Sequence, residues 1–373
     1  MHAEIAGAGF AGLTAAIGLK QRGWSVRVHE ASSELRAFGA GIFMWQNGLQ
    51  VLKAIGAYDD IMAGSHHGQI RESRINGQSI SQQAFDVASG AQMVTMTRQR
   101  LYDAVLAAAR RHDIEILTNS EVVGAEARGV LRTASGAYEA DLVIGADGVR
   151  SQVRDSLQIP TERKVYNDGV IRLLVDWEDP LPQNLDHVID FWNLEPRLLR
   201  ALFVPCGSGE IYLCLMAPRT DEEAAAIPVN KPIWMKGFPE IAHIIDRIGD
   251  QGRYDSYETT TLERWSEGKV AIIGDAAHAM PPTLGQGCGC AMMNALSLAV
   301  ALQEESDIEK ALLAWEKLER PLTDHTQDHA AGIAQSRKGA KGQPWDPEAL
   351  RAARHIPRGT SSAPSRRPEM AGD

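Results

Sequence analysis

AEIAGAGFAGLTAAIGLKQRGWSVRVHE, residues 3–30, reads as a strand, a glycine turn, a helix and a second strand. Gly7, Gly9 and Gly12 stand at G-x-G-x-x-G spacing directly after the first apolar strand, with Phe10 and Ala11 between the last two. In that context the spacing is a dinucleotide fingerprint. Its first glycine permits a tight turn, its second leaves the backbone bare where a pyrophosphate approaches, and its third lets the helix lie close on the strand. The helix N-terminus then offers free N–H groups and the positive end of a dipole to an anion. Glu30 ends the second strand at the distance where an acid accepts hydrogen bonds from an adenosine ribose and disfavours a 2′-phosphate. The fingerprint alone leaves NAD and FAD open.

A chain of 373 residues is long enough for about two domains. Its net charge of −10 argues against nucleic acid or an anionic membrane as the main partner, since both attract basic surfaces. Four cysteines (Cys206, Cys214, Cys288 and Cys290) are too few for a disulfide framework, and with a strand beginning at Ala3 no secretory signal is expected. The compartment therefore reads as reducing cytoplasm. No apolar run approaches the roughly twenty residues that cross a bilayer. Cys288-Gly289-Cys290 has no second cysteine or histidine pair at ligand spacing, so it reads as small buried thiols and no metal is expected.

Downstream of Glu30, Arg36 lies in a glycine-bearing loop, either on the surface or touching a phosphate or ribityl group. Phe43 and Trp45 fit a core or the pocket of a planar ligand. Residues 69–96 shorten to a period of two around a turn at Asn76-Gly77, which predicts a hairpin carrying Arg71 and Arg74. Thr97-Arg98 opens a helix that runs to Arg111. LVIGADGVRSQVR, residues 142–154, is a buried strand ending in Asp147-Gly148, and an acid between small residues at a strand's carboxyl end suits a cofactor site. Residues 165–216 are strand-rich, residues 229–248 look helical, and another strand follows. KVAIIGDAAHAMPPTLGQGCGCAMMN, residues 269–294, delivers Asp275 to a strand end and sets Pro282, Gly285 and Gly287 before a helix reaching about residue 304. A last helix spans 308–334, and the tail after Ser336, rich in Pro, Ser, Gly and Arg, is expected to be disordered or loosely docked.

The expected fold class is α/β: a Rossmann-like cofactor domain, an inserted and mostly antiparallel β-sheet domain, and C-terminal helices. Residues 1–70, 99–160 and 263–335 belong to the first domain with the C-terminal helices, and 161–262 to the second. The hairpin at 71–98 contributes to the second domain, and 336–373 is the flexible tail.

Three motifs in order, GAGFAGL, GADGVRS and GDAAHAMPP, resemble the flavin-dependent aromatic hydroxylases of the para-hydroxybenzoate hydroxylase type, over residues 3 to about 330. The resemblance favours bound FAD over NAD, with NADH or NADPH as a transient reductant. It implies that Glu30 holds the adenosine ribose, that Arg98 touches the ribityl–phosphate region, and that Asp147 of the Asp-Gly motif, beside Gly148, helps hold the pyrophosphate. It also implies that Asp275 binds the ribityl chain and that Pro282, Gly285 and Gly287 lie beside the isoalloxazine. ELRAFGAGI, FMWQNGL, DFWN-x-x-PR, YLCLMAP and YETT are similar, within that family, to the 2-methyl-3-hydroxypyridine-5-carboxylate oxygenase branch. That likeness implies that Arg200, Tyr212 and Tyr257 meet the substrate, while Arg71 stands where the branch has a substrate-facing tyrosine.

The chemistry implied is oxygen transfer from a flavin C4a-hydroperoxide to a hydroxylated aromatic or pyridine carboxylate, with ring opening as the narrower implication. Molecular oxygen is the co-substrate, water must be kept out, and a monomer or homodimer is expected. The alternatives are a salicylate-type hydroxylase, a flavin reductase or dehydrogenase of the same fold, and a nucleotide-sensing module.

Overall fold

The computed structural model describes residues 1–37, 40–68, 70–87, 89–207, 209–336 and 345–360. The fingerprint stretch forms β1 (His2–Ala6), α1 (Phe10–Lys20) and β2 (Ser25–His29). There follow β3 (Gly41–Trp45), α2 (Gln46–Ala54), α3 (Tyr58–Met62), β4 (Ile70–Ile75), β5 (Gln78–Ala84), β6 (Met93–Thr97) and α4 (Arg98–Arg111). Next come β7 (Glu115–Leu117), β8 (Val122–Glu126), β9 (Val130–Thr133), β10 (Gly136–Glu139), β11 (Leu142–Gly145) and α5 (Gln152–Ser156). The long β12 (Thr161–Asp176), β13 (Val188–Asn193), β14 (Leu199–Pro205), β15 (Glu210–Pro218), α6 (Lys231–Gly237), α7 (Ala242–Ile245) and β16 (Tyr254–Leu262) make the middle of the chain. It closes with β17 (Ser266–Glu267), β18 (Val270–Ile272), α8 (Asp275–His278), α9 (Gly287–Glu304) and α10 (Ile308–Gln335).

Five parallel strands, β18, β11, β1, β2 and β7, lie side by side, with β17 added antiparallel at one edge. Strands buried on both faces read as continuous apolar runs, as β11 (LVIG) and β18 (VAI) do. Every residue of α1 from Phe10 to Leu19 is buried, as expected of a helix apolar on all sides. It packs against α9 and α4, and a side chain at Gly18 would come within 3.0 Å of the Ala299 methyl.

The second sheet has seven strands in the order β16-β12-β15-β14-β13-β4-β5. Side chains alternate faces along a strand. Ile171, Leu173, Ile189, Phe191, Ala201, Phe203, Leu213 and Leu215 face α6 and α7 and bury Trp234, Ile241 and Ile244 with them. The alternate residues Val170, Val188, Val204, Tyr212, Cys214 and Met216 pack with Phe43, Trp45 and Phe85 towards the cofactor unit. Asn76 and Gly77 both have positive φ (47° and 80°), the pairing that a two-residue type I′ hairpin turn requires. The hairpin they close joins the sheet through a parallel pair, β4 with β13, in register Arg71 to Val188.

Three features differ from the sequence expectation. Residues 229–248 do not form one helix: α6 ends at Gly237, a 3₁₀ turn starts at Pro239, and α7 follows, because proline removes a helical N–H and clashes with the preceding turn. Residues 130–139 form two further strands, β9 and β10, paired with β8. The tail is not loose where it is described: within residues 345–360, Leu350 and Ala353 are fully buried, Trp345 meets Trp45 and Phe85, and the Asn47 N–H donates to the Ala353 carbonyl at 3.2 Å. A few apolar residues in a polar stretch suffice because they find a preformed aromatic surface. Residues 337–344 and 361–373 lie outside the described residues, as do Phe38 and Gly39 of the ELRAFGAGI run. No described helix is long and apolar enough to cross a membrane.

Candidate active site

The three fingerprint glycines divide as their roles require. A Cβ on Gly7 (φ +97°) would sit 2.4 Å from the Ala146 carbonyl oxygen, and one on Gly12 would sit 2.0 Å from the Gly7 carbonyl oxygen. Around Gly9 nothing lies within 4 Å of the same position. The turn is therefore closed on its protein side and open on the other. No side chain caps α1 and no acid lies in its first turn, so its partial positive charge is available to an anion. The Glu30 carboxylate is fixed from both sides, accepting from the Ala8 N–H at 3.0 Å and the Ser32 N–H at 2.9 Å. Gly148 (φ +80°) also borders open space.

Arg98 opens α4 with its guanidinium 5.1 Å from the centre of the Phe10 ring, which places the cation over the first residue of α1. Gly274, in positive φ, comes so close to Ala11 that a Cβ there would be 2.9 Å from the Ala11 methyl. The exposed Asp275 follows it at the start of α8. Burial pushes the Cys288 thiol up to about 12, with Arg98 opposing and Asp275 reinforcing that shift. Arg98, Asp275 and the start of α9 thus surround one region. Asp147 has another partner: its carboxylate accepts from the Ser151 hydroxyl at 2.5 Å and from the N–H groups of Gln152 and Val153, at the first turn of α5. Burial raises its pKa despite those bonds. Arg36 is mostly exposed and pairs with Glu34 at 3.4 Å.

Pro282–Leu284 forms a 3₁₀ turn ending at Gly285 in the left-handed region, where a Cβ would be 3.0 Å from that of Phe43. Gly287 is the first residue of α9, whose first turn holds no acid. Below this turn a small cavity of about 20 Å³ is lined by Asp168, Trp192, Arg200, Met216, Tyr257, Thr283, Ile333 and Ala334. Of the four residues expected at the substrate, Arg200 and Tyr257 line it. Tyr212 instead packs its ring on β3, where a Cβ on Gly41 would come within 2.4 Å of it. Arg71 is also outside the lining.

The sheet register explains where Arg71 went. Asp190 pairs with Leu202 on one side and Ser73 on the other, so Arg200 and Arg71, each two residues away on the neighbouring strands, reach it from both flanks. The Arg200 Nε and Nη2 donate to its two oxygens at 2.7 and 3.1 Å, and Arg71 Nη2 donates to Oδ2. Burial opposes ionisation of Asp190, but the charges of Arg200 and Arg71 outweigh it and hold the carboxyl below the usual carboxylate range. Burial pushes the phenols of Tyr212 and Tyr257 well above their ordinary value, so both are protonated.

Asp190 was missed by sequence reasoning, although a lone acid in the strand VIDFWN, where every other residue but the last is apolar, is a signal for a buried ion pair. Asp168, Trp192 and Thr283 were also missed, and Trp192 and Thr283 lie within or beside motifs already singled out.

The FAD binding domain family matches residues 1–315. The chain belongs to the flavin-dependent aromatic hydroxylase family. This flavoprotein is a monooxygenase that uses FAD, and a reduced nicotinamide nucleotide is the typical reductant in the family. It is similar in structure to 2-methyl-3-hydroxypyridine-5-carboxylic acid oxygenase, with a TM-score of 0.90 and 47% identity over 94% of this chain and 96% of that one. A tetrameric form of that oxygenase matches equally well, at a TM-score of 0.91. A Rhodococcus erythropolis protein named provisionally as a 2-heptyl-3-hydroxy-4(1H)-quinolone synthase is 40% identical over 340 residues, covering 90% of this chain and 88% of its own. The 2-heptyl-3-hydroxy-4(1H)-quinolone synthase of Mycobacteroides abscessus is 36% identical, covering 87% and 88%. The bare backbone at Gly9, the fixed Glu30 carboxylate and the uncapped starts of α1 and α9 fit FAD.

Proposed function

We propose that this flavoprotein inserts oxygen from molecular oxygen into a hydroxylated ring carboxylate, with a 3-hydroxypyridine carboxylate and ring opening as the specific case. The observation that carries the reading is the single cavity in which Arg200, Tyr257 and Thr283 meet below the Pro282 turn, in a chain 47% identical to an oxygenase named for such a substrate. Bound FAD, reduced by NADH or NADPH, supplies the activation of oxygen. Glu30 would hold the ribose, Arg98 and Asp275 the ribityl–phosphate region, and the N-terminus of α9 negative charge on the ring system. Asp147 would act indirectly, by fixing the start of α5.

At the substrate, Asp190 takes two of the five N–H groups of Arg200 and leaves three donors for a carboxylate, with the guanidinium plane set by the bidentate pair. The Tyr257 phenol, protonated by burial, would hydrogen-bond the ring hydroxyl. Met216 and Trp192 provide apolar walls that exclude water. The cytoplasm is the proposed compartment, where four free thiols stay reduced.

The quinolone synthase relatives favour a second reading, hydroxylation of a bicyclic heteroaromatic ring without opening. Oxygen-dependent NADH oxidation by the yellow protein, run against hydroxypyridine carboxylates, hydroxybenzoates and alkylquinolones with product masses recorded, separates the two. Gain of one oxygen and the elements of water on a pyridine carboxylate supports ring opening. Turnover of a quinolone alone, with gain of one oxygen, overturns the carboxylate reading.

A further inference from the structure

The substrate cavity holds about 20 Å³, room for about one water molecule, whereas pockets for ring-sized ligands run to hundreds of Å³. One wall must therefore withdraw before a ring is admitted. The floor is built on β12, β13, β14, β15 and β16, hydrogen-bonded strands of the seven-stranded sheet. The roof turn is tied to α10 by the Thr283 hydroxyl, which donates to the Ala330 carbonyl at 2.8 Å. The remaining wall is the end of α10 at Ile333 and Ala334, and residues 345–360 pack against it: Ala334, Leu350 and Ala353 share one core with Tyr257 and Met216.

Among the described residues, that segment is held to the sheet at one rung, at Trp345, while its far end is bonded to α2 through the Ala353 carbonyl and the Thr360 hydroxyl. Gln83 and Arg71 are paired in register on β5 and β4. The Gln83 amide donates to the Trp345 carbonyl at 3.1 Å and accepts from the Trp345 N–H at 3.0 Å. The Arg71 guanidinium, 5% exposed and held by Asp190, lies 4.4 Å from the centre of the Trp345 indole. The indole in turn meets Trp45 and Phe85 edge-on or tilted, and Trp45 donates from Nε1 to the Leu284 carbonyl of the roof turn at 3.1 Å. A cation stacked on an indole out of water is a favourable contact, and it leaves Arg71 facing an indole and a carboxylate.

We propose that the end of α10 is the movable wall of the substrate cavity, that residues 345–360 buttress it from behind and are latched through Trp345, and that Arg71 is the positioning residue that anchors the latch. The wall then controls how reducing equivalents are spent. With water excluded, substrate, O₂, NADH and a proton give the hydroxylated product, NAD⁺ and water, or, where the ring opens, a product that has taken up that water, and NAD⁺. With water admitted, NADH, a proton and O₂ give NAD⁺ and hydrogen peroxide.

The test uses the full-length holoenzyme at matched flavin occupancy, as wild type, Trp345→Ala, Trp345→Phe, Gln83→Ala and Arg71→Lys with Trp345→Ala. One arm measures peroxide formed per NADH with 3-hydroxypyridine-5-carboxylate. The other, which needs no substrate, measures the rate at which dithionite-reduced enzyme is reoxidised by oxygen with release of peroxide. Trp345→Ala and Gln83→Ala are expected to raise both at least threefold, Trp345→Phe to stay near wild type, and the double variant to match Trp345→Ala. Wild-type values for both single variants overturn the wall. A double variant clearly worse than Trp345→Ala removes Arg71 as the anchor. If wild type does not turn over the carboxylate, the substrate reading fails while the reoxidation arm still judges the wall.

Discussion

Replacing Gly9 by alanine is expected to separate cofactor binding from folding. The backbone at Gly9 is extended (φ −77°, ψ −177°), which any residue adopts, and no atom lies within 4 Å of the added methyl. The apoprotein should therefore melt within about 3 °C of wild type, since a strain-free Gly→Ala change alters stability by less than about 1 kcal/mol in a chain of this size. A pyrophosphate lying on that bare backbone would meet the methyl. Forcing one methyl into a filled site costs about 1–3 kcal/mol, or roughly 5- to 150-fold in Kd. Gly12→Ala is the contrasting control: its methyl would lie 2.0 Å from the Gly7 carbonyl oxygen, where ordinary contact begins near 3.4 Å, so it should lower the apoprotein melting temperature itself. The assay is FAD titration of each apoprotein by flavin fluorescence, beside thermal melts without FAD. Wild-type affinity in Gly9→Ala would refute the placement of the pyrophosphate over Gly9.

Glu30→Ala should purify depleted of FAD, and full occupancy by absorbance would count against the ribose assignment. Asp190→Asn leaves two buried guanidinium groups facing a neutral amide; removing one partner of a buried ion pair costs about 3–5 kcal/mol, so the urea midpoint should fall sharply, and an unchanged midpoint would show that the arginines find other partners. His278 is fully enclosed and accepts from the Asn294 amide at 3.2 Å, and burial lowers its pKa to about 4. The unfolded chain takes up that proton near pH 6.5, so stability present above pH 6.5 is lost as pH falls towards 4, at up to about 1.4 kcal/mol per pH unit. His278→Gln should flatten that part of the stability–pH curve, measured by urea unfolding, and an unaltered slope would assign it to other groups.

The cradle was legible in the sequence because its signal is local: glycines at fixed spacing between a strand and a helix, and an acid at the end of the next strand. The hairpin turn was legible for the same reason, since Asn-Gly satisfies two successive positive φ values. Arg71 was not legible as the partner of Asp190, because their meeting depends on a parallel pair between strands more than a hundred residues apart, and no local periodicity announces which edge a hairpin will join. The distinction between Tyr212 and Tyr257 was also beyond the sequence: both lie in one sheet, on strands that flank β12, and only the close approach of Gly41 to one ring separates a packed tyrosine from one that lines the cavity. Composition misled at residues 345–360, where one tryptophan, one leucine and a few alanines outweigh their polar neighbours once an aromatic surface exists to receive them.

The seven-stranded sheet takes β4 and β5 from one part of the chain and its other five strands from residues 161–262. The half of the molecule built on this sheet is consequently not a cassette. A chimaera that exchanges only residues 161–262 for those of a relative would set a foreign β13 against the resident β4, and a foreign counterpart of Asp190 against the resident Arg71. Transplanting this sheet between members of the family therefore requires two grafts made together, and the shorter one, a hairpin of some fifteen residues, decides whether the longer one is charge-matched.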